Sequence, residues 1–172
     1  MNCRIKGRGV LLMLVFSLQA VADVNHLPVQ IQSDSAMANL VQGVAAYSGH
    51  VQVTQGTRKL EANHLTLLRA SNGAIESIAA TGSPAKTEDQ PKPNVARAYG
   101  EAETIYYYPQ DALIKYKKNA KFTQAGNIFE GDEITYNIAT QVVSSPKTTA
   151  GQGNTTIILP AYSSPLRKET ST

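Results

Sequence analysis

Two groups of carboxylates are spaced for proton chemistry. Glu101 and Glu103 stand two apart, and Glu130, Asp132 and Glu133 crowd four positions. Two carboxyls flanking a scissile bond are what glycoside hydrolysis uses, one as acid and the other as base or nucleophile. Both groups fall at the bends and starts of short repeated units, however, where turn and surface roles account for them. His26, His50 and His64 stand alone, with no metal-ligand spacing and no acid cluster beside them, and read as solvent-facing. Gly151 and Gly153 bracket Gln152, but no helical pattern follows to make a phosphate loop. No catalytic residue, metal site or cofactor is assigned. The remaining candidates are cations and rings. Lys115, Lys117 and Lys121, with Lys118 beside them, share one strand face. They read as a solvated edge, with contact to anionic headgroups or phosphate as the functional alternative. Within Tyr106, Tyr107 and Tyr108 the parity turns Tyr107 inward, as core or as the wall of an apolar groove.

The elements that must position these residues repeat. Tyr47 to Gln55 aligns without a gap on Tyr116 to Gln124, 69 residues later. The match continues with Leu60 on Phe129, Asn63 on Asp132 and Leu65 on Ile134. Self-similarity at this period marks a stacked β architecture. Alternation is plain in Val29–Gln32, Val51–Thr54 and Ile134–Ile138, with Gly- and Pro-bearing turn signals between the runs. Ser35 to Leu40 has helical propensity, but the repeat puts it on a strand. Inside the repeat lies a finer unit starting at Ser33-Asp34, Ala62-Asn63, Ala102-Glu103 and Gly131-Asp132, at spacings of 29, 40 and 29. The eleven extra residues fall at Thr87–Asn94, a polar, proline-bearing loop inserted between equivalent units. The fold class expected is all-β, with many short antiparallel strands.

Residues 1–22 read as a cleaved secretory leader. Arg4, Lys6 and Arg8 precede an apolar run from Val10 to Phe16, and Ala20 and Ala22 supply the small residues of a cleavage site. That leader holds Cys3, the single cysteine, and three of the sixteen basic residues but none of the thirteen acids. The mature chain is then cysteine-free and formally neutral, which removes disulfide and thiol chemistry and any electrostatic case for nucleic acid. About 150 residues remain, one domain over 23–160 and a polar, disordered tail over 161–172.

The order and spacing of Val29–Asp34, Tyr47–Gly56, Ala62–Leu65, Gly82–Ala85, Gly131–Tyr136 and Thr156–Pro160 resemble the OstA-like family of periplasmic lipopolysaccharide-transport proteins. The likeness covers about residues 28–160. It implies a twisted β-jelly roll, open at both ends, whose apolar interior holds acyl chains of lipopolysaccharide. It also implies a periplasmic place in a Gram-negative cell and head-to-tail joining with further copies, with an LptC-like protein at the inner membrane and with an LptD-like protein at the outer. Parity puts Val29, Ile31, Val51, Val53, Leu65, Leu67, Ile105, Tyr107, Ile134 and Tyr136 on the inner wall of an apolar trough. The edges expected to join copies are Val29 and Ile31 at one end and Thr156, Ile157, Ile158 and Leu159 at the other. Family members often carry an aromatic where Lys86 and Thr87 stand here, so the sequence departs from the pattern at that part of the wall.

Three other readings remain at this stage. One is a sibling of the same fold, LptC-like or LptD-domain-like. Another is an enzyme on a β-helix, such as a polysaccharide lyase, which needs a charged catalytic cluster on one outer face. The last is a structural repeat protein with a filled, dry core. Whether the interior is packed or open separates the last from the first.

Overall fold

The computed structural model describes residues 27–90, 92–146 and 154–160; the leader, the tail, His26 and the Gly151–Gly153 segment lie outside them. Ten strands form one antiparallel sheet: β1 (Gln30–Gln32), β2 (Ser35–Asn39), β3 (Val44–Gln55), β4 (Arg58–Arg69), β5 (Ile75–Asp89), β6 (Ala98–Tyr108), β7 (Leu113–Gln124), β8 (Asn127–Asn137), β9 (Val142–Ser144) and β10 (Thr156–Ile158). The sheet order is β1-β3-β4-β5-β6-β7-β8-β10, with β2 also on β3 and β9 also on β8.

The short strands expected on either side of the repeated polar residues are joined into six strands of 11 to 15 residues. Three of the four unit starts, Ala62-Asn63, Ala102-Glu103 and Gly131-Asp132, are bends within them, and Ser33-Asp34 lies between β1 and β2. Pairing registers slip between Ser48 and Val51, Glu61 and His64, Thr81 and Ala85, Glu101 and Thr104, and Lys117 and Ala120. A bulge inserts an extra residue and bends the strand, and five aligned bends crease the whole sheet. Gly49 and His50 in β3, and Lys118 and Asn119 in β7, carry consecutive positive φ angles at the crease. At Gly49 a Cβ would run into the Asp34 side chain. Each long strand thus has one half on either side of the crease, and the slip restores the parity that points both halves inward.

The two half-sheets face each other. One ends in a rim formed by the β3–β4 and β7–β8 turns and the β5–β6 loop; the other ends in the β4–β5 and β6–β7 turns. Opposite the crease the rims meet along a seam. The inserted loop begins at Gln90 rather than Thr87, because β5 runs on to Asp89. Thr87 and Asp89 both point inward, buried. The 69-residue repeat is structural as well: β3 and β7 start and end 69 residues apart, and their register slips coincide at the same offset.

Candidate functional site

All ten residues assigned to an inner wall lie on the interior side. Val51, Val53, Leu65, Leu67, Ile105, Tyr107, Ile134 and Tyr136 are buried, and Val29 and Ile31 pack partly buried against them. The interior also takes Leu60, Ile78, Ile114, Tyr116 and Phe122, which the sequence reading left off the wall. The repeat pointed to three of these, since Leu60 pairs with Phe129, Tyr116 with Tyr47 and Phe122 with Val53. Alanines at 80, 85, 98, 102 and 120 and Gly100 let the half-sheets approach. A Cβ on Gly100 would collide with the Tyr116 ring. Phe122 packs on Tyr136 at 4.6 Å between centroids, and Tyr116 and Phe129 flank it at 6.1 and 6.3 Å.

The expected open trough is therefore closed along this part of the molecule. Between Val29, Val53, Leu60, Ile78, Ile105 and Tyr107 there remains a cavity of about 20 Å³, room for little more than one water. Side chains of this size, brought together by a creased sheet, fill the space they enclose.

The seam carries what the sequence reading missed altogether. Arg58, the first residue of β4, shares parity with Leu60 and points inward. It donates a short hydrogen bond from Nη1 to the Tyr107 hydroxyl and one of 3.3 Å to Gln55 Oε1. Its Nη2 reaches Asp89 Oδ2 at 3.4 Å. The guanidinium lies 4.9 Å from the Tyr107 ring centre. The Arg58–Tyr107 bond joins one half-sheet to the other across the seam, as Thr87 does with the Tyr116 hydroxyl at 2.7 Å; Gln55 and Asp89 flank Arg58 within its own half. Burial pushes the Asp89 carboxyl above its ordinary range, while Arg58 and the Gln90 amide pull it down. Burial also raises the Tyr107, Tyr116 and Tyr136 hydroxyls. Thr87 is small enough to admit the Tyr116 hydroxyl from the facing half.

The outer faces hold the other candidates. Lys117 pairs with Glu133 at 3.3 Å and Lys121 with Glu130 at 2.9 Å, and the Glu130 carboxylate raises the Lys121 ammonium. Lys115 and Lys117 lie 5.9 Å over Tyr108 and Tyr106. These lysines are not on an edge, since β7 is paired on both sides. Glu103 accepts from Asn119 at 2.8 Å, His50 meets Asp34 at 2.7 Å and His64 meets Ser48 at 3.3 Å. The carboxylates mark bends and outer-face ion pairs; Glu101 and Glu103 line an outer-face groove of about 440 Å³ with Ser83, Pro84 and Asn119.

The two edges named from sequence fall at opposite ends of the sheet order; among the described residues β1 pairs only with β3 and β10 only with β8. Ile157, Ile158 and Leu159 are exposed at one end, as are Met37, Leu40 and Val41 at the other.

The family described as LptA/(LptD N-terminal domain) LPS transport protein matches residues 30–142. The chain is 41% identical over 127 residues to the lipopolysaccharide export system protein LptH of Pseudomonas aeruginosa, covering 73% of this chain and 71% of that one. It is 29% identical over 143 residues to the export system protein LptA of Escherichia coli K12, covering 83% and 76%. The crystal structure of LptH, described as the LptA-homologous periplasmic component of the lipopolysaccharide transport device of P. aeruginosa, superposes with a TM-score of 0.76 at 32% identity, over 81% of this chain and all of that one.

Proposed function

The chain belongs to the LptA/LptD N-terminal domain family of lipopolysaccharide transport proteins, and on that premise we propose that it is a periplasmic lipopolysaccharide carrier, exported by its leader. Acyl chains of the lipid lie between the half-sheets, on Val29, Ile31, Val51, Val53, Leu65, Leu67, Ile105, Tyr107, Ile134 and Tyr136. The observation that carries this is an apolar interior running across the sheet between two edges unpaired among the described residues; its packing alone would also suit a structural repeat protein, and the family match favours the carrier. Moving acyl chains out of water contributes about 0.8 kcal/mol per methylene, so one chain is held without specific polar contacts. Seating it requires the seam to part and the interior side chains to yield. No lipid-releasing step is assigned to this chain.

The edges supply the joining device. An unpaired strand accepts another strand, and a head-to-tail contact that does not close by rotation propagates. Copies join through β1 and the Met37–Val41 end of one and the Thr156–Leu159 end of the next; an LptC-like and an LptD-like protein terminate the series. A photo-crosslinker at Ile31 is expected to capture lipopolysaccharide and one at Lys117, on the outer face, little; equal labelling at both, or none, overturns the acyl-chain reading. Ile158→Pro is expected to abolish oligomers in light scattering while leaving the β spectrum of the monomer intact; unchanged oligomers overturn the edge-joining reading.

A further inference from the structure

Acyl chains make no use of a buried ion pair, yet one stands just inside the seam. The Arg58 and Asp89 side chains are 8% and 4% exposed. Removing both charges from water is costly unless hydrogen bonds complete them, and here they are not complete. Among the described residues neither Arg58 Nε nor Asp89 Oδ1 has a hydrogen-bond partner. The remaining polar atoms of the two groups are engaged by Tyr107, Gln55, the Gln90 amide and each other.

The unpaired atoms are one donor and one acceptor on neighbouring side chains, which restricts what can satisfy them. A phosphate or carboxylate brings acceptors only, and its charge would face Asp89. An alkylammonium brings no acceptor for Nε. A neutral group that both accepts and donates fits: a hydroxyl, or a carbonyl with a hydroxyl close by. Position restricts it further. Along β5 the inward side chains run Ala85, Thr87, Asp89 from crease to rim, and along β4 they run Leu60, Arg58. Polarity thus rises toward the seam, where the head of a chain whose tail points to the crease would rest. The small cavity beside Arg58 adjoins this point.

We propose that Arg58 and Asp89 form a binding site for the polar head of an acyl chain, Arg58 Nε donating to its carbonyl and Asp89 Oδ1 accepting from a hydroxyl near that carbonyl. The inference rests on the acyl-chain reading above and adds a selectivity to it: hydroxylated chains are preferred to plain ones of the same length.

The test compares the N-methyl amides of 3-hydroxytetradecanoic and tetradecanoic acid, titrated calorimetrically below their aggregation concentrations. The amide removes the carboxylate charge from both probes. The protein is expected to bind the hydroxylated amide on the order of tenfold more tightly, the scale of one hydrogen bond to a charged group. The joint substitution Arg58→Met with Asp89→Leu is expected to erase that preference while retaining the plain amide. Equal affinities in the unaltered protein overturn the site and leave the acyl-chain reading standing; this is also the result if a single water fills the cavity. A preference that survives the joint substitution places the selectivity elsewhere and overturns the site as well. Binding of neither amide overturns both readings. The first comparison needs no variant, so a failure of the double substitution to fold does not rescue the proposal.

Discussion

The hairpins β3–β4 and β7–β8 follow one backbone plan and enclose different chemistry. Register slips and crease residues coincide at the 69-residue offset, as do the strand limits but for one residue at the end of β8. Yet Val53 is replaced by Phe122, Leu60 by Phe129, Leu67 by Tyr136, and Arg58 by Asn127. Apart from Tyr47, the interior of the first hairpin is aliphatic, and it ends in a charged residue at the seam. The second is a cluster of rings within 4.6 to 6.3 Å of their neighbours. Edge and offset ring pairs add about 0.5–1.5 kcal/mol beyond the area they bury. The difference teaches that bends and turns fix the plan, while the inward positions are free to make one copy a rigid wall and the other a yielding one with a polar fastening.

The largest effect should come from the ring cluster. Phe122→Ala removes a fully buried ring and is expected to destabilise by about 3–5 kcal/mol. Val53→Ala, its repeat equivalent, should cost about 1–2 kcal/mol. Denaturant melts of the two check this, and equal losses would erase the contrast between hairpins. Next comes the seam. Asp89→Leu alone strands the Arg58 charge and should cost about 3 kcal/mol, whereas Arg58→Met with Asp89→Leu should be neutral or stabilising. If the double variant is as weak as the single one, the pair is a net fastener rather than a cost carried for another purpose.

The smallest effect is on pH. Burial raises the folded Asp89 carboxyl above its ordinary 3.8, so the folded state holds a proton the unfolded chain has released. Stability from this group is full below that ordinary value and is lost as pH rises through the folded one. Compared with Asp89→Asn, the unaltered protein should gain stability as pH falls from 7 toward 4; parallel curves would contradict the raised carboxyl. In the second hairpin Asn127 stands where the first has Arg58, and it brings no charge to a buried carboxyl.

The comparison also marks what the sequence could reveal. Parity, which depends on neighbours along one strand, pointed to ten residues that the structure buries or half-buries on the interior side; their contact with lipid is part of the proposal. The Ala62-Asn63, Ala102-Glu103 and Gly131-Asp132 units were legible as breaks, but not as bends inside longer strands. A bulge and a turn use the same small and polar residues, and only strand pairing separates them. The filled interior and the seam were illegible. Arg58 meets Tyr107 across 49 residues, a contact set by how one half-sheet lies over the other, and Asp89 across 31, its neighbour in the β4–β5 register that runs Leu60–Thr87, Lys59–Glu88. The parity of Arg58 with Leu60 was the one local hint.

The crease separates two dimensions of the molecule that most folds couple. Residues per strand set how deep the enclosure is, and the number of strands sets how long it is, since strands add side by side at about 4.8 Å each. Inserting another creased hairpin would extend the enclosure by about 10 Å without altering its cross-section. A hairpin copied at a 69-residue interval is the kind of event that does this. The protein is in that sense a ruler graduated in hairpins, whose span can change by duplication while what fits across it stays the same.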